Sequence, residues 1–192
     1  MRSITQDQVN FYNKTGYLIV EDVLSQDEIK ELGSITDTFV EKSRNITEHN
    51  EDFDLEAGHS KENPKLRRIK KPEKQHVVYE KTLCHSGVLD VVEDLIGPNI
   101  RTLGSKLNMK APGGGAQVEW HTDWAFYPHT NDDILEVGIP LDDMEIENGC
   151  LMAIPGSHKW EAISHHEDGV FVGAVSENDF NMEDAVPFVL KA

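Results

Sequence analysis

Residues 119–124, Glu-Trp-His-Thr-Asp-Trp, contain the side chains with the clearest potential for chemistry. His121 and Asp123 are two positions apart, and on an extended strand residues at that spacing project from the same face. One imidazole and one carboxylate held side by side offer two neighbouring ligands to a metal ion. A second histidine would complete the two-histidine, one-carboxylate triad that binds iron(II) in non-haem oxygenases. We therefore predict that His121 and Asp123 are metal ligands and, through the metal, catalytic residues.

The tripeptide alone also has a simpler interpretation. A His-x-Asp sequence occurs by chance in many proteins, where it is a pair of polar residues on a strand that faces water. The surroundings favour the metal site, because a glycine-rich turn at residues 112–115 precedes the pair and aromatic residues flank it. Turn signals follow at Asn148-Gly149 and Pro155-Gly156, as expected for hairpins around a rigid site.

Capped helices are predicted in the N-terminal part of the chain. Thr5 with Gln8 forms a capping box that opens the first helix, and Gly16 is placed to end it. Ser25 with Glu28 opens a second amphipathic helix in the same way. The regions that follow are predicted from periodicity and composition: a strand at 17–20, a long loop at 43–65, and a third helix at 86–96.

From residue 100 the apolar period changes to two, which predicts strands. The predicted strands cover residues 103–110, 117–126, 134–141, 151–154 and 186–190. Helices followed by strands indicate an α+β or mainly β fold. Strands that pack as a closed double sheet would form a jelly roll of the cupin type.

Composition limits the classes of partner. The 192 residues suffice for a single domain, residues 1–192. A formal net charge of -17 argues against nucleic acid and anionic membranes as partners. No apolar run approaches the roughly 18–20 residues of a membrane helix, and no signal-peptide pattern is present. The two cysteines show no disulfide spacing, so a reducing cytoplasm is the expected location.

A basic cluster stands out in this acidic chain. Its members are Arg67, Arg68, Lys70, Lys71 and Lys74. The cluster could attract an anionic substrate, or it could be a surface patch paired with nearby acids. Both interpretations remain open from the sequence.

Several runs of residues, taken together, resemble the phytanoyl-CoA dioxygenase family. These runs are Lys-Ala-Pro-Gly at 110–113, His-Thr-Asp-Trp at 121–124, Phe-Tyr-Pro at 126–128, Glu-Asn-Gly-Cys-Leu at 147–151 and Ile-Pro-Gly-Ser-His-Lys at 154–159. The opening run at 16–24 is similar to the N-termini of family members. The resemblance covers nearly the whole chain.

The resemblance implies a double-stranded β-helix, or jelly roll, with N-terminal helices packed on its major sheet. It also implies iron(II), 2-oxoglutarate as co-substrate and O2, with hydroxylation of a small organic or acyl-type substrate and release of succinate and CO2. His121 and Asp123 match the first two metal ligands. The positions that match co-substrate contacts or share the face of His121 are Lys110, Asn108, Lys106 and Gln117; solvent exposure is the alternative for the lysines. Trp124 and Phe126 are predicted to line the substrate pocket, with burial in the core as the alternative.

The chain departs from the family pattern after Asp123. Relatives place a third ligand, a histidine, and then an arginine for 2-oxoglutarate further along than Ala192, so we expect this chain to be truncated at its C-terminus. His129, His158, His165 and His166 are not expected to be the third ligand. A cupin-like binding protein or inactive fragment, and a non-oxidative metal enzyme on a similar barrel, stay as alternatives.

Overall fold

The structure, a computed structural model, describes residues 3–113, 115–131 and 133–192. Five α-helices are assigned in this part of the chain: α1 (Gln6–Thr15), α2 (Gln26–Ser43), α3 (Pro72–Gln75), α4 (Val77–Leu83) and α5 (Ser86–Ile96). The predicted capping boxes of Thr5 with Gln8 and Ser25 with Glu28 are both confirmed. The helix predicted over 86–96 is confirmed with the same bounds. The short helices α3 and α4 were not predicted.

The strands form one larger and two smaller antiparallel sheets. They are β1 (Phe53–Leu55), β2 (Leu66–Lys70), β3 (Lys106–Asn108), β4 (Met152–Ala153), β5 (His166–Glu167), β6 (Val170–Phe171) and β7 (Val186–Pro187). The larger sheet has the order β1-β2-β3, while β4 pairs with β7 and β5 with β6. The expectation of one uninterrupted loop over 43–65 was wrong, because this region contains β1.

Helices α2 and α4 pack on one face of the three-stranded sheet. The core there consists of Leu32, Phe39, Phe53, Leu66, Ile69, Val78 and Tyr79. Ile69, in the central strand β2, is fully buried. The buried hydroxyls of Thr36 and Tyr79 satisfy one another at 2.9 Å, so the polar atoms in this core are paired. Helices α2 and α4 therefore cover one face of this three-stranded sheet, whereas the packing of N-terminal helices on the major sheet of a jelly roll stays a prediction.

The other face of this sheet is polar and will be called the charged sheet face. It consists of Asp54, Arg68, Lys70, Lys106 and Asn108. Register sets this grouping: Asp54 pairs with Arg68, Arg68 with Asn108, and Lys70 with Lys106. Because side chains alternate along a strand, burying Phe53, Ile69 and Leu107 on the core side turns these charged residues to the opposite side.

The second half of the chain is built from short elements. Single 3-10 turns occur at Asp123–Ala125, Ile146–Asn148, Ser157–Lys159, Glu177–Asp179 and Met182–Asp184. The Asn148-Gly149 turn is confirmed, since Gly149 has the left-handed conformation that ends the turn at Ile146–Asn148. The strands predicted at 151–154 and 186–190 are confirmed in part: β4 is the centre of the first segment, β7 is the start of the second, and the two pair with one another.

Three predicted strands are corrected by the structure. Residues 17–20, 117–126 and 134–141 have no strand assignment. In residues 17–20 the aromatic ring of Tyr17 instead packs against Phe188, with ring centroids 4.8 Å apart. Residues 134–141 also lack the alternating burial that their sequence suggested, because Val137 is exposed. Apolar alternation alone was insufficient here without a neighbouring strand to complete the hydrogen-bond ladder.

Two further observations complete the fold. The glycine-rich segment at 112–115 makes a turn at Pro112 and Gly113, whereas Gly114 lies outside the described residues. Across the described ranges, no helix combines the length and the apolar character that crossing a membrane requires.

Candidate metal site

His121 and Asp123 are brought together by the backbone between them. Nε2 of His121 lies 3.5 Å from Oδ1 of Asp123, and their side chains are 26% and 29% exposed. Thr122 is extended, with φ −110° and ψ 134°, so the two flanking side chains project the same way. Asp123 then begins a 3-10 turn rather than continuing a strand. The predicted pairing is present although the predicted strand is not, since one extended residue suffices to align its neighbours.

The tautomer of His121 suits a metal ligand. Its Nδ1 donates a hydrogen bond of 2.6 Å to the carbonyl oxygen of Glu119, which directs Nε2 toward Asp123. A backbone carbonyl that fixes the other ring nitrogen is the usual support of a ligating imidazole. At 3.5 Å the two ligand atoms are near enough to share one ion, so this donor set fits two positions of a facial site.

Electrostatics within the pair favour its charged forms when no metal lies between the two groups. The hydrogen bond to Asp123 raises the pKa of His121, and burial opposes this shift. The hydrogen bond from His121 lowers the pKa of Asp123, again against burial. A proton on Nε2 thus bridges the two groups, and a metal ion would replace that proton.

His165 supports the pair from behind and was missed by the sequence reasoning as a site residue. It is 3% exposed, and its Nε2 accepts a 2.9 Å hydrogen bond from the backbone N–H of Thr122. Its Nδ1 donates to the carbonyl oxygen of Ile163 at 3.0 Å. Both ring nitrogens are therefore occupied, which agrees with the prediction that His165 is not the third ligand. The sequence carries no spacing signal for this role.

An aromatic group borders the pair. The ring of Phe126 meets that of His121 edge to face at 5.4 Å, and it meets Phe171 at 5.3 Å in the same manner. Trp124 and Phe126 are each 42% exposed, so neither residue is part of the buried core. Of the two predicted pocket residues, the structure places Phe126 in contact with His121.

Lys106 and Glu136 lie in the electrostatic neighbourhood of the pair. Lys106 lowers the pKa of Asp123 and also acts against the raised pKa of His121. Desolvation raises the pKa of Glu136, and the negative charge of Asp123 contributes to the same shift. The only feature of the sequence that could have indicated Glu136 is that it places a carboxylate within the otherwise apolar segment 134–141.

The other predicted co-substrate residues are engaged elsewhere. Nζ of Lys110 donates to the carbonyl oxygen of Gly149. The side-chain oxygen of Asn108 accepts from Nε of Arg68 at 2.9 Å. Gln117 is exposed and makes a 3.4 Å contact with Glu119. Lys106 thus acts on the pair through its charge, whereas these three residues have hydrogen-bond partners away from the pair.

A third protein ligand is not found among the residues the structure describes, where no group of three histidine, cysteine, aspartate or glutamate side chains is arranged to hold a metal. His158 packs instead against Gly16, and its Nε2 lies 3.3 Å from the carbonyl oxygen of Asn13. His129 and His166 are exposed. Neither His121 nor Asp123 lines either of two surface cavities. One cavity is formed by residues 44–47 and 59–61, and the other lies between α2 and α4.

Comparison with known proteins assigns the fold and then the family. The crystal structure of EctD from S. alaskensis with bound Fe matches with a TM-score of 0.74 at 22% identity, over 99% of this chain and 66% of that one. AviO1 from Streptomyces viridochromogenes matches with a TM-score of 0.67 at 20% identity, over 100% of this chain and 81% of that one. The chain therefore shares the fold of these proteins.

The family follows from the sequence comparison. Residues 12–192 match the family model described as Phytanoyl-CoA dioxygenase (PhyH), and the chain belongs to this family. A probable alpha-ketoglutarate-dependent hypophosphite dioxygenase of Stutzerimonas stutzeri is 33% identical over 177 residues, which is 91% of this chain and 62% of that protein. A phytanoyl-CoA dioxygenase of Arabidopsis thaliana is 27% identical, over 82% of this chain and 66% of that protein. The chain thus spans less than two thirds of the length of these two relatives.

Proposed function

We propose that this chain contributes the iron-binding part of an iron(II)- and 2-oxoglutarate-dependent dioxygenase. The observation that carries the proposal is the 3.5 Å approach of His121 Nε2 to Asp123 Oδ1. This pair occurs in a chain that belongs to the phytanoyl-CoA dioxygenase family. With O2, iron(II) and 2-oxoglutarate would supply oxidising power for hydroxylation, with release of succinate and CO2. The double-stranded β-helix is part of this proposal, with residues 1–192 as a single domain.

The roles proposed for the residues follow from their positions. His121 and Asp123 bind the metal, and Glu119 holds the imidazole in the correct tautomer through its carbonyl oxygen. His165 holds the peptide between the two ligands. Phe126 excludes water from one side of the pair, because its ring packs against that of His121 with 5.4 Å between the centroids.

The co-substrate contacts proposed from the sequence need different degrees of rearrangement. The charge of Lys106 lowers the pKa of Asp123, and we propose that the same charge attracts the dicarboxylate. Lys110, Asn108 and Gln117 would first exchange their present partners. Lys106 is therefore the strongest of the four proposed contacts, and Gln117 the weakest.

The substrate is proposed to be a small molecule. The Stutzerimonas stutzeri relative is named for hypophosphite, and the solved EctD complex contains 2-oxoglutarate and 5-hydroxyectoine. The two names differ, but hypophosphite and 5-hydroxyectoine are both compact polar molecules. A cytoplasmic location stays a prediction from the sequence.

An anaerobic titration with iron(II), followed by 2-oxoglutarate, tests the proposal. We expect a weak visible charge-transfer absorption, because the described residues supply two protein ligands rather than three. The absorption should disappear in His121→Ala and in Asp123→Ala and persist in His129→Ala, which changes an exposed histidine. Absorption that survives in His121→Ala, or that never forms in the wild type, would refute the proposed function. Such a result would favour a binding protein that keeps the fold without catalysis.

A further inference from the structure

The hairpin formed by β5 and β6 is fixed against the backbone that carries the metal pair. Its two turn residues, 168–169, have φ angles of 49° and 80°, as a tight turn between twisted strands requires. Just before the hairpin, His165 accepts a hydrogen bond from Thr122 N–H at 2.9 Å. Just after it, Val175 N–H donates to the carbonyl oxygen of Trp120, also at 2.9 Å. Both ends of the hairpin are therefore held beside the metal pair.

Phe171, in β6, is joined to the metal pair by two ring contacts. Its ring meets that of Phe126 edge to face with 5.3 Å between the centroids, and Phe126 meets His121 in the same manner at 5.4 Å. Gly173 allows this approach, because its φ is +70° and a Cβ atom there would lie 3.0 Å from the ring of Phe126. The contacts form a continuous series from the hairpin to a proposed metal ligand.

Phe126 and Phe171 together will be called the aromatic wall. Phe126 is 42% exposed and Phe171 is 45% exposed, whereas the core residues Phe39 and Phe53 are 4% and 7% exposed. The contact between the two rings thus leaves a large part of each ring open to solvent beside the metal pair. Apolar surface of this kind gains free energy when another apolar group covers it.

The chemistry of the wall does not suit 2-oxoglutarate. The faces of aromatic rings carry partial negative charge, so they disfavour carboxylates. The hairpin, residues 166–171, contains two acids, Glu167 and Asp168, and no lysine or arginine. A dicarboxylate therefore finds no strong cationic partner on the hairpin, whereas a hydrocarbon group needs none.

We propose that Phe171 is a specificity-determining residue, which with Phe126 binds the hydrocarbon part of the main substrate. The inference rests on the proposed function and narrows its substrate to an organic molecule with an apolar group close to the carbon atom that is oxidised. A bare oxyanion such as hypophosphite has no such group. The wall orients the substrate at the metal pair and replaces water on that side of it.

A purely structural role for Phe171 is the competing explanation. Its ring stacks on that of His165 with an angle of 18° between the planes, so its role would be to support this imidazole. Two hydrogen bonds already fix His165, however, one at each ring nitrogen. Support of His165 also requires no exposed ring surface. The two explanations differ in outcome, since only a substrate wall binds an added hydrocarbon.

The test is a titration of the metal-free chain with cyclohexanol, followed by the ring signals of Phe126 and Phe171 in two-dimensional NMR spectra. Hypophosphite is titrated separately, as a small oxyanion without a hydrocarbon part. We expect saturable shifts of both rings with cyclohexanol and none with hypophosphite. Iron(II) added anaerobically should then broaden the signals of cyclohexanol in the wild type and not in His121→Ala, because the metal ion is paramagnetic.

Substitutions at Phe171 test its part in this binding. Phe171→Ala should weaken cyclohexanol binding at least about fivefold, because it removes apolar contact surface. Phe171→Leu keeps an apolar side chain and should bind within about twofold of the wild type. Phe11→Ala is the matched control, since Phe11 is also 42% exposed but lies in α1, where it packs on Tyr17. In each variant the amide signal of Thr122 reports whether its hydrogen bond is intact.

Three outcomes would overturn the inference. They are unchanged cyclohexanol affinity in Phe171→Ala, hypophosphite shifts of the ring signals that cyclohexanol reverses, and unbroadened cyclohexanol signals in a wild type that has bound iron(II). The last measurement uses the wild type, so it decides even where Phe171→Ala disturbs the fold. Failure of the wild type to bind iron(II), measured in a separate titration, would instead end the proposed function. The two failures are distinguishable because the cyclohexanol titration is made without metal.

Discussion

His165 holds the peptide that joins the two candidate metal ligands, through a 2.9 Å hydrogen bond from the backbone N–H of Thr122 to its Nε2. The two residues are 43 positions apart in the chain. The imidazole is buried and stacks on Phe171 with an angle of 18° between the rings. A side chain thus holds the backbone between the two ligands, where the sequence predicted a strand ladder.

Replacing His165 by alanine should loosen the metal pair as well as the fold. The N–H of Thr122 would lose its buried acceptor, and we expect the free energy of unfolding to fall by about 1–3 kcal/mol. Loss of such a support typically costs about 10–100-fold in metal affinity. Urea unfolding and iron(II) titration measure the two effects. His129→Ala is the control, with an expected change within about 0.5 kcal/mol; equal metal affinity in His165→Ala and wild type would contradict the positioning role.

The His121–Asp123 pair should make the metal-free chain sensitive to pH. The raised pKa of His121 adds stability that is present below its ordinary value of about 6.5 and is lost as the pH rises through the higher folded value. The lowered pKa of Asp123 adds stability that is present above about 3.9 and is lost as the pH falls through the lower folded value. The pair therefore stabilises the fold most between these two ordinary values.

Urea unfolding of the metal-free chain at pH 5.5 and pH 8 checks this expectation. His121→Gln should lower stability at pH 5.5 by up to about 1 kcal/mol, since the pair is partly exposed, and should change it less at pH 8. Iron(II) binding should show the opposite trend, because the metal competes with the proton on Nε2. A stability difference that is the same at both pH values would show that the pair contributes no proton-linked energy.

The centre of the three-stranded sheet should be the most sensitive part of the core. Ile69 is 0% exposed and lies between α2, α4 and the neighbouring strands. Ile69→Ala should lower the free energy of unfolding by about 2–5 kcal/mol, and Ile69→Val by about 0.5–1.5 kcal/mol. Ile146→Ala, at an exposed position, serves as the control. A small effect in Ile69→Ala would mean that the sheet is not part of the cooperative core.

Local signals in the sequence predicted the three longest helices, α1, α2 and α5. The capping boxes of Thr5 and Ser25 and the positive-φ stop at Gly16 depend on residues within one or two turns, so they can be read without the rest of the chain. The approach of His121 to Asp123 was also predicted, because it depends on a single extended residue between them.

Features that depend on distant partners were not predictable in the same way. Segment 117–126 is rich in residues typical of strands. Its long-range hydrogen bonds, however, are made from Val175 N–H to the carbonyl oxygen of Trp120 and from Thr122 N–H to His165. The sequence did not predict strand β2, because Arg67 and Arg68 resemble a surface patch. In the structure, pairing of β2 with β1 and β3 buries Leu66 and Ile69. Strand formation requires neighbouring strands, which are often far away in sequence, and the pattern of one segment does not specify them.

The contact between Gly16 and His158 leads to a final prediction, about how helix α1 joins the second half of the chain. Gly16 ends the helix with φ +86°, and a Cβ atom there would clash with Nδ1 of His158. Gly16→Ala should therefore be destabilising for two reasons, a left-handed backbone that costs about 1–2 kcal/mol and a steric clash with the ring. In Gly16→Ala with His158→Ala the clash is removed and only the backbone cost remains, so the two changes should be non-additive in urea unfolding.

Gly33→Ala is the matched control with the opposite sign: this glycine lies inside α2 with open space around it, and alanine there should stabilise by about 0.5–1 kcal/mol. Strict additivity of the Gly16 and His158 changes would show that the ring does not occupy the space beside Gly16.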